Sequence, residues 1–333
     1  MDPILGIDIS KDEFHVALIP AEWPDGGKPK KPKQGRFDNT QAGFERLQAW
    51  LHRHGAPRVW ACLEATSTYG DALAECLYDA GHPVSMVNPR LVRHYAKCEL
   101  QRSKNDQLDA GVIARFCRSQ RPYLWTPPAP ELRQLRALSR RRQDLDGDCT
   151  REKNRLSVPG LDPTVRASIQ EHLAHLQQQM ADVQSQVEAL LEQHEALRQR
   201  CELVQTIPGF AEKSSVIVVA ELADVTRFET SRQVAAYAGV IPAERKSGKY
   251  KGQTRMSKCG NAALRKALYF PAVSAATVSH EPLFRTFYQR LLAKGKTKLA
   301  AIGAVMHKLL RIAAAILRSG KPFDPHHRPA AMP

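Results

Sequence analysis

Short apolar runs alternate with amphipathic segments along the first hundred residues. Residues 4–10 and 14–20 are apolar and β-branched, and the three polar residues between them are typical of a β-hairpin. The pattern then predicts a loop at 21–33, a strand at 35–39, a helix at 40–54, a strand at 58–64, a helix to residue 80, a strand at 83–88 and a helix through residue 99. Three strands followed by alternating helices and strands predict an RNase-H-like sheet covered by helices.

A different periodicity occupies the middle of the chain. Apolar residues recur there at alternating spacings of four and three, with His194 as the polar member: Ile169, Leu173, Leu176, Met180, Val183, Val187, Leu190, His194, Leu197 and Cys201. This heptad seam predicts a coiled-coil arm, paired within the chain or between subunits. A weaker helical segment, 131–156, precedes it, and the breakers Pro159, Gly160 and Pro163 separate the two.

Helical segments rich in small residues follow the arm. Residues 206–210 and 214–221 predict a helix-hairpin-helix-like element, which would present backbone N–H groups to a phosphate. Further helices are predicted at 234–238, 262–277 and 297–318, with a loop at 244–261. The expected fold class is α/β plus all-α. We expect an RNase-H-like domain over 1–157, the coiled-coil arm over 158–201, a helical domain over 202–322 and a disordered tail over 323–333.

Positive charge is concentrated near the carboxyl end. Residues 1–240 contain equal numbers of basic and acidic side chains, whereas residues 241–321 contain 17 Lys or Arg against two Glu, which accounts for the whole net charge of +15. Such a block favours a polyanionic partner, and nucleic acid is the leading candidate. The seven cysteines are scattered and never form a C-x-x-C pair, which argues against disulfides and zinc. We expect neither a signal peptide nor a membrane span, and therefore a cytoplasmic protein.

Four carboxylates stand where a sheet could gather them. Asp8 lies inside an apolar strand, and Glu64 closes another. Asp106 and Asp109 are three residues apart at the head of a helix, which puts both on one helix face. Together they would repel each other unless a cation neutralised them, and hard oxygen ligands favour Mg²⁺. Each acid also has a structural explanation of its own. Asp106 could cap its helix, and the charge of Asp109 could stabilise the first turn of that helix. Glu64 could be an exposed residue at the end of a strand.

A serine lies in the basic block within the segment RMSKCGN. Arg255 and Lys258 could hold a phosphate near Ser257. Without a local histidine, a bare reading favours a structural role, in which Ser257 or Asn261 caps the following helix. Other nucleophile candidates are Tyr237, Tyr250 and Tyr269. Further phosphate contacts are expected from Lys246, Lys251 and Arg265.

Several segments of the chain resemble one family. The motifs LGIDISK with Asp8, CLEATSTYG with Glu64, and SKNDQLDA with Asp106 and Asp109 are similar to the RuvC-like domain of the insertion-sequence-one-ten family of transposases. The motifs VQTIPGF, FETSRQVAAYAGVIP and RMSKCGNAALRKALYFPA resemble that family's carboxyl-terminal transposase domain. The resemblance extends from Ile4 to about Phe323, with every motif in order.

The resemblance implies a recombinase guided by a structured RNA that pairs with donor and target DNA. It implies that the four acidic residues bind Mg²⁺ and that the serine at position 257 forms a covalent link to a DNA phosphate. We expect a homodimer or homotetramer and no membrane. Two alternatives stay open, namely a RuvC-like nuclease or junction resolvase that uses water, and a non-catalytic nucleic-acid-binding protein. A kinase of the actin-like superfold would need a second glycine-rich phosphate loop, which the sequence lacks.

Overall fold

The computed structural model describes residues 2–22, 31–65, 68–98, 106–243, 246–247, 250–251, 254–279 and 281–326. For residues 68, 106–108, 246–247 and 250–251 it describes the backbone alone. Contacts divide the chain into two units, Met1–Pro127 and Pro128–Pro333.

A mixed five-stranded sheet forms the centre of the first unit. Its strands are β1 (Ile4–Ile9), β2 (Glu13–Ile19), β3 (Lys33–Asp38), β4 (Trp60–Glu64) and β5 (Val84–Val87), and its helices are α1 (Gln41–Arg53), α2 (Asp71–Asp79), α3 (Pro89–Cys98) and α4 (Asp106–Gln120). The strand order is β3-β2-β1-β4-β5. The β1 strand is antiparallel to β2 and parallel to β4. This order confirms the predicted RNase-H-like topology and makes β1 the central strand.

Side chains alternate between the two faces of the sheet along each strand, so apolar residues lie on both faces. Helices cover both of these faces. Leu5 and Ile7 of β1 pack in one core with Phe44 of α1. Ile4 packs on the opposite face in a second core with Ile113 of α4. The even-numbered positions of β1 therefore face α4. Thr40 caps α1, since its hydroxyl accepts a hydrogen bond from the Gly43 nitrogen at 3.2 Å.

The described part of the second unit is mostly helical. Its helices are α5 (Pro130–Leu156), α6 (Pro163–Gln193), α7 (Glu195–Gln205), α8 (Glu212–Leu222), α9 (Ser231–Ala238), α10 (Ala262–Ala267), α11 (Tyr269–Thr277), α12 (Pro282–Ala293) and α13 (Lys298–Ser319), and its two-residue strands are β6 (Pro242–Ala243), β7 (Lys246–Ser247), β8 (Tyr250–Lys251) and β9 (Arg255–Met256). These elements confirm the fold class of α/β plus all-α.

Three expectations for this unit were wrong in detail. The segment expected to be a loop contains β-pairings, of β6 with β9 and of β7 with β8. The helix expected over 262–277 ends at Leu268 and restarts, because Pro271 has no N–H to donate back and its ring crowds the preceding turn. The α12 helix was not anticipated.

The predicted heptad seam lies against another helix of the same chain. Leu176 on α6 packs with Leu145 and Cys149 on α5, and Met180 and Val183 border this small cluster. The seam does not belong to one continuous helix, since His194 leaves the helical backbone and separates α6 from α7. The description of this helical pair as a coiled coil stays a prediction.

The boundaries expected at residues 157, 201 and 322 also stay predictions. By its contacts, α5 belongs to the second unit. Of the tail expected to be disordered, residues 327–333 lie outside the described part of the chain.

The α13 helix is long and apolar enough to cross a membrane by length and composition, although the sequence reading expected no such segment. More than half of its apolar window is buried within the protein. Val305, Leu309 and Ala313 are fully buried in the core of the second unit. This burial is what a core helix requires, so the composition alone is weak evidence for a membrane span.

The α5–α6 contact predicts the effect of truncating its central leucine. Leu176→Ala should destabilise this pair by about 2 kcal/mol, the low end for buried leucines, because the cluster around it is small. Hydrogen exchange of α6 amides would report the loss. The exposed neighbour Gln177 provides the control, since Gln177→Ala should change little. A fall in the solution mass of Leu176→Ala, with α6 exchange unchanged, would show that the seam packs between subunits instead.

Candidate active site

Asp8 lies at the carboxyl end of the central strand, on the face that α4 covers. Gly6 shares that face, and a Cβ added there would collide with the Ala110 carbonyl oxygen and the Ala114 nitrogen. The α4 backbone therefore touches β1 directly at Gly6. Asp8 is two residues further along the same face, where its side chain is half-buried.

Glu64 occupies the matching position on the neighbouring parallel strand. The register pairs Ile7 of β1 with Leu63 of β4, so Asp8 and Glu64 are the next residues on two adjacent strands. Cys62, two residues before Glu64, packs in the core beneath α4. Glu64 therefore faces the same side of the sheet as Asp8, at the same edge.

The third described carboxylate comes from α4. Gly6 lies beneath Ala110 and Ala114, while Ile4 packs in the core that contains Ile113 and Cys117. The helix consequently runs opposite to β1, and its amino-terminal end approaches the edge that carries Asp8. Asp109 belongs to that end and is half-buried. Asp106 is the first residue of α4, but its side chain lies outside the described part of the structure.

These acids fit a hard divalent cation in chemistry. Carboxylate oxygens are the ligands that Mg²⁺ prefers, and the topology brings three of them to one edge of the sheet. Among the described residues, however, no group of three His, Cys, Asp or Glu side chains could hold one ion. The Asp106 side chain is not among those residues. The donor types therefore support a metal site, whereas a formed ligand cluster is not shown.

The Cys62 thiol beneath the acids is held in its protonated form by its surroundings. Cys62 and Cys117 are both fully buried between β4 and α4. Their mutual hydrogen bond raises the pKa of Cys62 well above its ordinary value, and burial and the nearby Glu64 raise it further. A protonated thiol is a poor metal ligand, so Cys62 belongs to the core rather than to the acidic site.

Ser257 lies in a loop that backbone hydrogen bonds attach to the end of α9 and to the segment after it. The Ser257 nitrogen donates to the Ile241 oxygen at 2.9 Å, the Lys258 nitrogen to the Gly239 oxygen at 3.0 Å, and the Asn261 nitrogen to the Tyr237 oxygen at 2.7 Å. We call residues 255–261 the serine loop. Lys258 adopts a positive φ of 53°, which is uncommon for a residue other than glycine. The serine loop is therefore held in one specific conformation.

Ser257 does not cap the following helix. That role belongs to Asn261, whose side-chain oxygen accepts from the Leu264 nitrogen at 3.0 Å. The Ser257 hydroxyl instead accepts from the Cys259 nitrogen at 3.3 Å, within the serine loop. Ser257 is half-buried, and Arg255 and Lys258 on either side are exposed. The sequence predicted that either Ser257 or Asn261 caps this helix, and in the structure Asn261 does.

A buried ion pair, which the sequence reading missed, supports the serine loop. The Glu221 side chain on α8 is fully buried. Arg140 on α5 donates to its two oxygens at 2.7 and 2.9 Å, and the Asn261 amide donates at 2.7 Å. Burial raises the pKa of Glu221, but these hydrogen bonds outweigh it and hold the pKa below its ordinary value. The sequence contains a signal for this buried carboxylate, because Glu221 is a charged residue near the end of the apolar run SSVIVVAEL.

The other predicted contact residues differ in what they do. Arg265 donates to the Ala238 oxygen at 2.9 Å, so it braces the segment that carries the serine loop. The Tyr237 hydroxyl donates to the Glu221 backbone oxygen at 3.3 Å and is already engaged, whereas Tyr269 is exposed. The side chains of Lys246, Lys251 and Tyr250 lie outside the described part.

Comparisons with known proteins place the chain in a family. A transposase model of the DEDD type from IS110 elements matches residues 5–158, and a model described as the transposase IS116/IS110/IS902 family matches residues 201–289. The pilin gene-inverting protein of Moraxella bovis is 31% identical over 324 residues, covering 96% of this chain and 97% of that protein. The chain belongs to the IS110 family of transposases.

The chain also has more distant similarities to a further transposase and to a solved structure. The transposase for insertion sequence element IS1111A of Coxiella burnetii is 24% identical over 293 residues, covering 80% of this chain and 75% of that protein. The solved RuvC structure of Thermus thermophilus matches 37% of this chain and 99% of its own length at 14% identity, with a TM-score of 0.29 that is too low to argue from. As an IS110-family member, the protein is a DNA recombinase.

The buried pair in this transposase predicts an asymmetric response to mutation. Arg140→Met should destabilise the second unit by about 3 kcal/mol, because it leaves the Glu221 carboxylate buried without its cation. Glu221→Gln should cost about 1–2 kcal/mol, since Arg140 is half-exposed and water can solvate it. Urea unfolding at neutral pH measures the free energy of unfolding of both variants. Equal losses would contradict the difference in burial between Glu221 and Arg140.

The lowered pKa of Glu221 also sets the pH range of this effect. The unfolded carboxyl has a pKa of about 4.3, and the folded value is lower. The stabilisation is therefore fully present above the unfolded pKa and is lost as the pH falls through the folded one. The advantage of the wild type over Glu221→Gln should be constant near neutral pH and shrink in acid.

Proposed function

We propose that this transposase cuts and rejoins DNA strands with Ser257 as its nucleophile. The observation that carries the proposal is the serine loop, which holds Ser257 in one conformation between exposed Arg255 and Lys258 while Asn261 caps the helix. A hydroxyl that is not required as a cap, between two cations, suits attack on a phosphate. Positive charge there would offset the charge that develops on the phosphate oxygens in the transition state.

The chemistry proposed for Ser257 conserves the energy of the phosphodiester bond. The hydroxyl would lose its proton as its oxygen bonds to the scissile phosphorus, and one deoxyribose oxygen would leave and accept a proton. Reversal with a different strand would restore a phosphodiester and free Ser257. The family relationship supports this over hydrolysis, because the Moraxella relative is named for gene inversion, and inversion requires that cut strands be rejoined.

We propose that Asp8, Glu64, Asp106 and Asp109 hold Mg²⁺. When bound, Mg²⁺ would neutralise phosphate charge and polarise an oxygen of the reacting group. The chain's own contribution is to bring acids from β1, β4 and α4 to one edge of the sheet through the contact at Gly6. That contact supports the proposal because it sets the amino-terminal end of α4 over Asp8.

We also propose that a structured RNA guides this transposase to donor and target DNA, and that it acts as a homodimer or homotetramer. The family resemblance implies the guidance by RNA, and the oligomer is an expectation from the sequence. The basic block at residues 241–321 provides charge for a second polyanion. A water-using nuclease is the alternative, and it would leave no covalent protein–DNA species.

The metal proposal predicts that Asp8→Asn abolishes strand cleavage while leaving the fold intact. The amide keeps the size of the side chain but removes the charge that a cation needs. Cleavage assays with and without chelator, together with calorimetric Mg²⁺ titration, measure the effect. Asp12→Asn, on an exposed residue beside the same strand, is the matched control and should retain activity. Full cleavage by Asp8→Asn would exclude this role.

The nucleophile proposal predicts that Ser257→Ala binds DNA normally but forms no covalent adduct. Denaturing gels of protein trapped on labelled DNA detect the adduct, and DNA binding is measured separately. Ser274→Ala, on a half-buried serine of α11, controls for loss of a hydroxyl in the same unit. Adducts that persist in Ser257→Ala would move the chemistry to another residue, such as Tyr250. A wild type that cleaves without any adduct would favour the water-using nuclease.

A further inference from the structure

Two cations on adjacent helices share one aromatic ring. The Lys308 ammonium on α13 lies 5.1 Å from the centre of the Phe287 ring on α12, and the Arg290 guanidinium carbon lies 5.4 Å from the same centre. Lys308 also lies 5.4 Å from the centre of the Phe284 ring, which is fully buried. Attraction to the ring face holds both charges close to the protein surface. We call Arg290, Lys308 and Phe287 the α12–α13 cation site.

Neither cation of this site is neutralised within the described part of the chain. No carboxylate there forms an ion pair with Arg290 or Lys308, and neither side chain donates a hydrogen bond to a protein atom. Burial lowers the pKa of Lys308, and Arg290 lowers it further. Two positive charges so close together repel each other, so an anion that bound both would stabilise the folded protein.

The surroundings indicate which anion would bind. Arg290 is exposed and Lys308 half-buried, so a ligand can reach both from solvent. Arginine matches a phosphate with a fork of donors, and lysine adds a point charge. The whole net charge of the protein lies in the block that contains the site, which favours a polyanion over a small anion. That excess also opposes a second copy of the same face, because the two would repel each other.

We propose that Arg290 and Lys308, supported by Phe287, bind a backbone phosphate of a nucleic acid. Arg290 lies just beyond residue 289, where the matched family domain ends, and the site shares no residue with the serine loop. The inference rests on the proposed function only in requiring a nucleic-acid partner, and it needs no chemistry at Ser257. DNA and RNA carry the same phosphodiester, so the experiment distinguishes them.

The test compares Arg290→Gln and Lys308→Gln with Lys294→Gln, an exposed lysine at the end of the same α12 helix. Fluorescence anisotropy of the full-length protein is measured on a labelled short DNA duplex and, separately, on a labelled single-stranded RNA, each over a range of salt. Each site variant should weaken binding severalfold on at least one probe and reduce the steepness of the salt dependence by about one unit, as expected for one lost phosphate contact. Lys294→Gln should change both quantities less.

Two further measurements separate binding from folding. Lys308→Arg keeps a charge over the ring and should retain binding, whereas loss of binding in it would contradict a simple phosphate contact. In the absence of nucleic acid, Arg290→Gln should lower the thermal midpoint no more than Lys294→Gln does, because the attraction to Phe287 that it loses and the repulsion from Lys308 that it removes oppose each other. A midpoint lowered further than that of Lys294→Gln would mean that the cation site serves the fold, and would overturn the proposal.

Other outcomes also decide against it. If Lys294→Gln weakens nucleic-acid binding as much as the site variants do, Arg290 and Lys308 contribute only to the overall positive charge and form no specific site. Unchanged nucleic-acid binding with a reduced mass in light scattering would assign the surface to a second copy of the chain. If inorganic phosphate at matched ionic strength removes the difference between the variants and the wild type, the site binds free phosphate instead. If the wild type binds neither probe, the proposed function itself fails, whereas binding that the site variants leave intact overturns this inference alone.

Discussion

The direct contact between α4 and β1 at Gly6 is the constraint on which the acidic site depends. No side chain fits between the Gly6 Cα and the α4 backbone, so the helix lies as close to the sheet as a helix can. This contact places the α4 backbone directly on β1 at Gly6. Asp109 consequently approaches the sheet edge that carries Asp8 and Glu64. A larger residue at position 6 would force the α4 backbone away from β1.

The second unit stabilises its functional loop by a different means. The serine loop has little apolar surface of its own, and it is held by backbone hydrogen bonds to residues 237–241 and by the Asn261 amide on Glu221. Because Arg140 completes this buried pair from α5, the long helix of the α5–α6 pair is part of the support for Ser257. Mutations in α5 can therefore affect the serine loop although they lie more than a hundred residues earlier in the chain.

Basic side chains of the second unit occur in two different environments. Arg140 is paired with a buried carboxylate and contributes to the fold. Within the part of the chain that the structure describes, Arg290 and Lys308 have no counter-charge, and both lie against the Phe287 ring. Sequence counts cannot separate these classes, because both appear as basic residues in helical segments. The difference depends on which helix each one packs against, and it decides which cations remain available for a nucleic acid.

The sequence by itself predicted the strand order and the positions of most helices, because alternation and caps are local properties. It also proposed four acids and one serine as site residues, and these stay predictions. It also showed where the charge lies. Only the tertiary structure decided that the heptad seam packs within the chain, that Asn261 rather than Ser257 caps α10, and that Glu221 is buried against Arg140. The packing of the seam and the Glu221–Arg140 pair depend on contacts between residues far apart in the chain. The choice between two possible caps depends on side-chain orientation, which the sequence leaves open.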